Sequence, residues 1–271
     1  ELKFFHDASF RLVVTLSEAA FSIAVALLTK SIFALIGAMV FAALVEVVIS
    51  FILFKDRPRF VYQKSRAEEI LHGAKWLSFS ALFDYLNENL DNFLIGKLTG
   101  VRNLGLYHNA YAFAHRVNYD QAKSVTHGTL PIYSKLQNNP SRLMRAFMKA
   151  TLTTMVFVTA VSVPLLLFPE FFVNLLLGEQ WLEISGFLHW LVLAGIIQSF
   201  SALCYSLMMA KKAYSMVNLH LASSVFLMAI LVFFMSKSGG LSGAAFAIFI
   251  SRLVNVPILI WQIIQIKNEN R

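Results

Sequence analysis

Apolar residues in this chain come in long blocks rather than alternations. A helix needs about 20 mostly apolar residues to cross ~30 Å of hydrocarbon. Stretches of that kind run near 9–29, 31–54, 72–98, 104–134, 146–168, 185–210, 213–236 and 241–266. The second holds a single charge, Glu46, and the last four are equally plain. The first, third and fourth carry more polar residues and are weaker as spans. No run of short period-two segments suits a membrane barrel. The pattern predicts an all-α polytopic membrane protein with about eight transmembrane helices. Between the fifth and sixth stretches, 169–184 predicts either a short interfacial helix or a loop, with Phe171, Phe172 and Trp181 as aromatic anchors.

Composition agrees with the pattern. Of the 271 residues, 58% are hydrophobic and 14% charged, where soluble domains carry roughly 25% charged. Disorder, a coiled coil and a disulfide-stapled secreted module are excluded. The lone cysteine, Cys204, forms neither an internal disulfide nor a metal cluster; it and His189 read as packing residues. The net charge of +8 is informative through its placement. With eight alternating spans, Lys55, Arg57, Arg59, Lys64, Arg66 and Lys75, the group from Lys135 to Lys149, Lys211 and Lys212, and the basic residues near both ends fall on one side. They make sixteen of the 23 basic residues, which marks that side and both ends as cytoplasmic.

The remaining charges lie at membrane depth, where each costs at least ~2.5–3.5 kcal/mol on insertion scales and is a functional candidate. Helical spacing groups them into faces. Arg11, Thr15, Glu18 and Ser22 form a narrow stripe on the first stretch, and Asp84, Glu88 and Asp91 share a face of the third. On the fourth, His108, Arg116, Asp120, Lys123 and His127 fall within a third of the circumference, with His115 just outside. Arg252 and Asn255 lie mid-span on the eighth. The functional expectation is a water-filled lumen lined by the first, third, fourth and eighth helices. Its middle is cationic, and its acids lie on the third. The structural alternative is internal pairing, with Asp120 bonded to Arg116 or Lys123. Glu46 reads as a protonated or neighbour-satisfied carboxyl. There is no P-loop, HExxH or GxSxG motif, so neither an enzyme nor a nucleotide or metal site is expected.

Several motifs occur in order. Asp91-Asn92-Phe93-Leu94-Ile95-Gly96 is followed by Gly100, then Leu104-Gly105-Leu106-Tyr107 and Ala110-Tyr111. Leu130-Pro131-Ile132-Tyr133-Ser134-Lys135-Leu136-Gln137 and Leu175-Leu176-Leu177-Gly178-Glu179-Gln180-Trp181 come next, and Phe10-Arg11 and Asp56-Arg57-Pro58 precede them. Together they resemble the Wzx-type polysaccharide flippases of the multidrug/oligosaccharidyl-lipid/polysaccharide (MOP) exporter superfamily. The resemblance implies a MATE-like fold of two six-helix lobes around a central cavity. Residues 1–54 would then be the last two helices of the N-terminal lobe, 55–71 a cytoplasmic linker and 72–271 the complete C-terminal lobe. Four preceding spans would be missing, so the chain is expected to be a piece of something longer.

The implied activity is translocation of polyprenyl-diphosphate-linked oligosaccharides across a bacterial inner membrane by alternating access. Coupling to H⁺ or Na⁺ and contact with polysaccharide polymerase machinery are further expectations. No organic cofactor and no nucleic-acid partner are implied. In that scheme Arg116, Lys123, Arg252 and His115 attract the diphosphate and sugars. Asp84, Glu88, Asp91 or Asp120 takes the coupling ion, and Arg11 and Glu18 line the N-terminal lobe. The other readings are a multidrug-type cation antiporter on the same fold, and a non-transporting scaffold of polysaccharide assembly.

Overall fold

In a computed structural model of the chain, residues 4–30, 33–53 and 63–268 are described. They are helical almost throughout and divide into two compact units, Glu1–Ala67 and Glu68–Arg271.

The first unit is a pair of packed helices, α1 (Phe4–Thr29) and α2 (Phe33–Leu53). Phe21 and Phe41 stack between them at 4.2 Å. Ala38 and Ala42, four apart, are buried on α2, as small residues are where membrane helices approach closely. The other faces carry exposed Leu16, Leu27, Met39 and Val48. A helix that is apolar all round suits a lipid solvent. Glu18 is half-buried and Glu46 exposed. Arg11 belongs to α1, but its side chain lies outside what the structure describes.

The second unit begins within α3 (Lys64–Thr99) and continues through α4 (Val101–Val117), α5 (Tyr119–Leu136), α6 (Pro140–Leu167), the short α7 (Pro169–Leu177), a 3₁₀ turn (Glu179–Ile184), α8 (Ser185–Ala210) and α9 (Tyr214–Asn268). Three differences from the sequence reading stand out. First, α3 starts at Lys64 rather than near 72, because Ala67, Glu68 and Glu69 are good helix formers and no proline interrupts them. Of the expected 55–71 linker, 55–62 lies outside the described residues and 64–71 is helix. Second, the fourth stretch is two helices meeting at Asn118. Third, the seventh and eighth run on as α9, bent where Gly240 takes φ 57°, ψ −138°. The 55 residues of α9 give about 80 Å of helix at 1.5 Å per residue, enough to cross a ~30 Å core twice. The 169–184 connection folds as α7 and the 3₁₀ turn, and Trp181 packs against the core.

By length and composition alone, four of the described helical segments qualify as membrane spans: α1, α6, the 179–210 segment and α9. A shorter apolar run, Ile36–Ile52, lies in α2. α3, α4 and α5 are more polar, and the site lies on them.

Helix α8 is the hub, touching α4, α5, α6, α7 and α9. Its small residues Ala194, Gly195, Ser199 and Ser206 are buried on all sides. Two apolar clusters fill the unit. One gathers Tyr107, Leu188, Leu191, Met228 and Ile248; the other gathers Tyr133, Phe147, Cys204, Met208 and Leu259. Between them each helix turns polar: Gln198 and Ser199 on α8, His220 and Ser224 on one arm of α9, Ser251, Arg252 and Asn255 on the other. That polar layer halfway along the helices holds the candidate site.

Candidate functional site

The break at Asn118 sets the geometry. Its own N–H still bonds back to Ala114 at 3.3 Å and His115 at 3.2 Å, closing α4. Its side-chain oxygen accepts the Tyr119 N–H at 2.6 Å to start α5, and its amide nitrogen donates to the Val192 carbonyl at 3.1 Å. One buried side chain therefore caps a helix, as asparagine does well, and ties the break to α8. A Cβ at Gly195 would collide with that amide, so the residue facing the break is a glycine.

Across the break runs a ladder at four-residue spacing. The rings of Tyr107 and Tyr111 lie 5.8 Å apart, those of Tyr111 and His115 3.8 Å, and those of His115 and Tyr119 5.0 Å. Lys123 continues it, its ammonium 5.5 Å over the Tyr119 ring. Each tyrosine hydroxyl reaches another helix. Tyr107 donates to Asp91 Oδ2 of α3 at 2.5 Å, and Tyr119 donates to Glu88 Oε1 of α3 at 3.2 Å. The Tyr111 hydroxyl accepts from Arg252 Nη2 of α9 at 3.1 Å, with the guanidinium also 5.7 Å over its ring.

Asp91 is fully buried, which is costly for a charge unless its oxygens are satisfied. Here Oδ2 takes Tyr107, and Oδ1 takes the Asn92 N–H at 2.7 Å. Asn92 in turn meets His108 at 3.2 Å. Lower on α3, Glu88 binds Lys123 at 2.7 Å, with side chains 32% and 42% exposed. Two buried nitrogens of the cluster, His115 Nε2 and Arg252 Nη1, have no hydrogen-bond partner among the described residues.

The expected residues thus occupy three environments. Asp91, His115 and Arg252 lie inside the bundle, not on the open wall of a water-filled lumen; burial against Tyr107 and Tyr111 takes them there. Asp84, Glu88 and Lys123 are half-buried, and Asp84 and Lys123 line a cavity. Arg116 and Asp120 are exposed and do not line that cavity. The stripe expected to join Arg116, Asp120 and Lys123 assumes one unbroken helix, and the turn at Asn118 breaks that assumption. Lys123 pairs across to Glu88 rather than along its own helix to Asp120. The tyrosines are the residues missed. Their signal, Tyr107, Tyr111, His115, Tyr119 and Lys123 at strict four-residue steps, is legible once aromatic hydroxyls are counted as polar.

The cavity, about 200 Å³, lies between α3, α5, α8 and the first arm of α9. Its walls include Asp84, Asn87, Tyr119, Gln198, Tyr205 and His220. No group of three His, Cys, Asp or Glu side chains among the described residues is placed to hold a metal ion.

A family described as "Polysaccharide biosynthesis protein" matches residues 1–186. The lipopolysaccharide biosynthesis protein WzxC of Escherichia coli (strain K12) is 26% identical over 155 residues, which cover 57% of this chain and 32% of WzxC. The teichuronic acid biosynthesis protein TuaB of Bacillus subtilis (strain 168) is 25% identical over 211 residues, 76% of this chain and 43% of TuaB. The chain thus spans less than half the length of these curated relatives. A solved inward-facing multidrug resistance MATE family transporter of the MOP superfamily superposes with a TM-score of 0.70 at 17% identity, covering 97% of this chain and 65% of that one. That likeness speaks to the fold.

Proposed function

The chain belongs to the polysaccharide biosynthesis protein family, and from that premise we propose that it works as part of a flippase carrying polyprenyl-diphosphate-linked oligosaccharides across a bacterial inner membrane. The Wzx-type resemblance read from the Asp91–Tyr111 and Leu175–Trp181 motifs is met by the family match, which runs through both. It is also met by the MOP-superfamily fold. Supporting the finer reading is one observation above the rest: a polar layer between the two apolar clusters that pairs a reachable cation with a carboxylate. Lys123 and Glu88 are half-exposed, so a diphosphate can compete with Glu88 for the ammonium.

Displacing Glu88 frees a carboxylate beside Asp84. That pair is the proposed seat of the coupling H⁺ or Na⁺. Arg116 is exposed and offers a second positive charge on approach. Arg252, His115 and Asp91 act through the tyrosine ladder, holding α3, α4, α5 and α9 in one arrangement. Alternating access, cytoplasmic ends and contact with polymerase machinery complete the proposal.

The test is flux of a lipid-linked oligosaccharide by the full chain in proteoliposomes. Lys123→Gln together with Arg116→Gln is expected to lower flux at least about tenfold, the loss that follows when one charge-assisted hydrogen bond worth about 1.5–3 kcal/mol is removed. Unchanged flux overturns the cationic role. Flux indifferent to the imposed ion gradient and to Asp84→Asn overturns the coupling role.

A further inference from the structure

We propose that the 200 Å³ cavity of the second unit is a seat for one uncharged, hydroxyl-rich ring, a single pyranose. Size is the first argument. Sites for drug-sized ligands run about 300–1,000 Å³, so this one admits a ring and not a chain of them.

The wall chemistry is the second. Gln198 and His220 are each 5% exposed, and both line the cavity. Gln198 Oε1 and His220 Nδ1 have no hydrogen-bond partner among the described residues. Buried polar atoms are rarely left so. Gln198 Oε1 is an acceptor and asks for a donor. Asp84 adds a second acceptor group. Asn87 adds donors: its oxygen is occupied by the Ser224 hydroxyl at 2.9 Å, which leaves its N–H groups for a ligand. Lys123 lies at the edge of this wall, its ammonium paired with Glu88 at 2.7 Å, and is the proposed diphosphate contact rather than a partner for the ring.

Acceptors and donors therefore face the same small space. A hydroxyl serves both, because it donates one hydrogen bond and accepts others. A phosphate brings acceptors, leaves Gln198 Oε1 unmet and faces Asp84. An organic cation brings no acceptor and leaves the Asn87 N–H groups unmet. The rings of Tyr119 and Tyr205 supply flat apolar surface with polar tips, which matches a sugar's C–H face and its rim of hydroxyls. The identity of this ring as the first sugar of a diphosphate-linked chain rests on the flippase reading, with the diphosphate at Lys123 next to it.

The experiment uses the full chain in lipid nanodiscs. Saturation-transfer NMR reads binding of six methyl glycosides (gluco-, galacto-, manno-, N-acetylglucosamino-, rhamno- and fuco-). Calorimetry reads inorganic pyrophosphate. At least one glycoside is expected to bind. Gln198→Leu and the cavity-filling Ala202→Phe are each expected to weaken it at least about tenfold while the thermal unfolding midpoint in nanodiscs, which reports folding, stays unchanged; pyrophosphate binding is expected to be lost in Lys123→Gln. Ser201→Leu is the second filling variant should Ala202→Phe misfold. No glycoside bound by the unmodified chain overturns the proposal, as does glycoside binding that survives the filling variants. Occupation of the cavity by tetraphenylphosphonium in place of every glycoside also overturns it. Glycoside binding without oligosaccharide flux removes the flippase reading and leaves the cavity's. Flux without glycoside binding removes the cavity's alone.

Discussion

Asp91 is a fully buried carboxylate, and its neighbours explain how it is tolerated. Both oxygens are taken, one by the Tyr107 hydroxyl and one by the Asn92 backbone. Tyr107→Phe removes the shorter of these bonds and leaves a buried acceptor short of a partner. It is expected to destabilise the protein by about 1–3 kcal/mol, read as a lowered midpoint of thermal unfolding in nanodiscs; an unmoved midpoint would deny the bond its role. The Arg102–Glu183 pair is the opposite case. It measures 3.1 Å, but its side chains are 82% and 56% exposed, and exposed pairs contribute about 0–1 kcal/mol. Arg102→Gln is expected to leave the same midpoint nearly unchanged. The first bond is short and buried; the second is longer and open to solvent.

At the scale of elements, two irregularities shape the bundle. Asn118 interrupts what would otherwise be one long helix, and Gly195 on α8 makes room for it. Gly195→Ala is expected to cost about 1–3 kcal/mol by overpacking. In an Asn118→Ala background the same change costs less, because the amide it strikes is gone. Additive costs in the double-mutant cycle would show that the two residues do not meet. The second irregularity is the bend of α9. Gly240 holds φ 57° with ψ −138°, a combination that side-chain-bearing residues avoid, and a Cβ at nearby Gly243 would strike the Met235 carbonyl. Gly240→Ala is expected to destabilise by about 1–3 kcal/mol of backbone strain, measured by the same unfolding assay. A straight, unstrained α9 would show no such loss.

At the scale of the whole molecule, the basic residues predict orientation. Thiol reagents that do not cross the membrane are expected to label single cysteines placed at 138 and 212 from the cytoplasmic face, and at 178 and 238 from the opposite face. The reverse pattern overturns the assignment. Much of this scale was legible in the chain itself. Eight apolar blocks foretold the helices, because the length needed to cross hydrocarbon is fixed by its thickness. Ordered motifs from Asp91 to Trp181 foretold the family, and the acids of α3 were placed on one face by the 3.6-residue period alone. The site was legible only in part. Hydropathy does not register a helix break at a single asparagine, so the helical period puts charges on either side of Asn118 on one stripe that the folded chain does not make. Nor does periodicity say which polar face meets which. That Arg252 reaches Tyr111, that Lys123 turns to Glu88 rather than to Asp120, and that Gln198 and His220 face a common cavity depends on residues that lie on different helices and are far apart in the chain. Local composition is enough to mark which stretches form helices apolar enough for lipid, since transfer free energy is a sum over the residues of each stretch. Which charges are neutralised and which remain reachable depends on neighbours that only the packing of distant helices brings together, as it does Lys123 and Glu88.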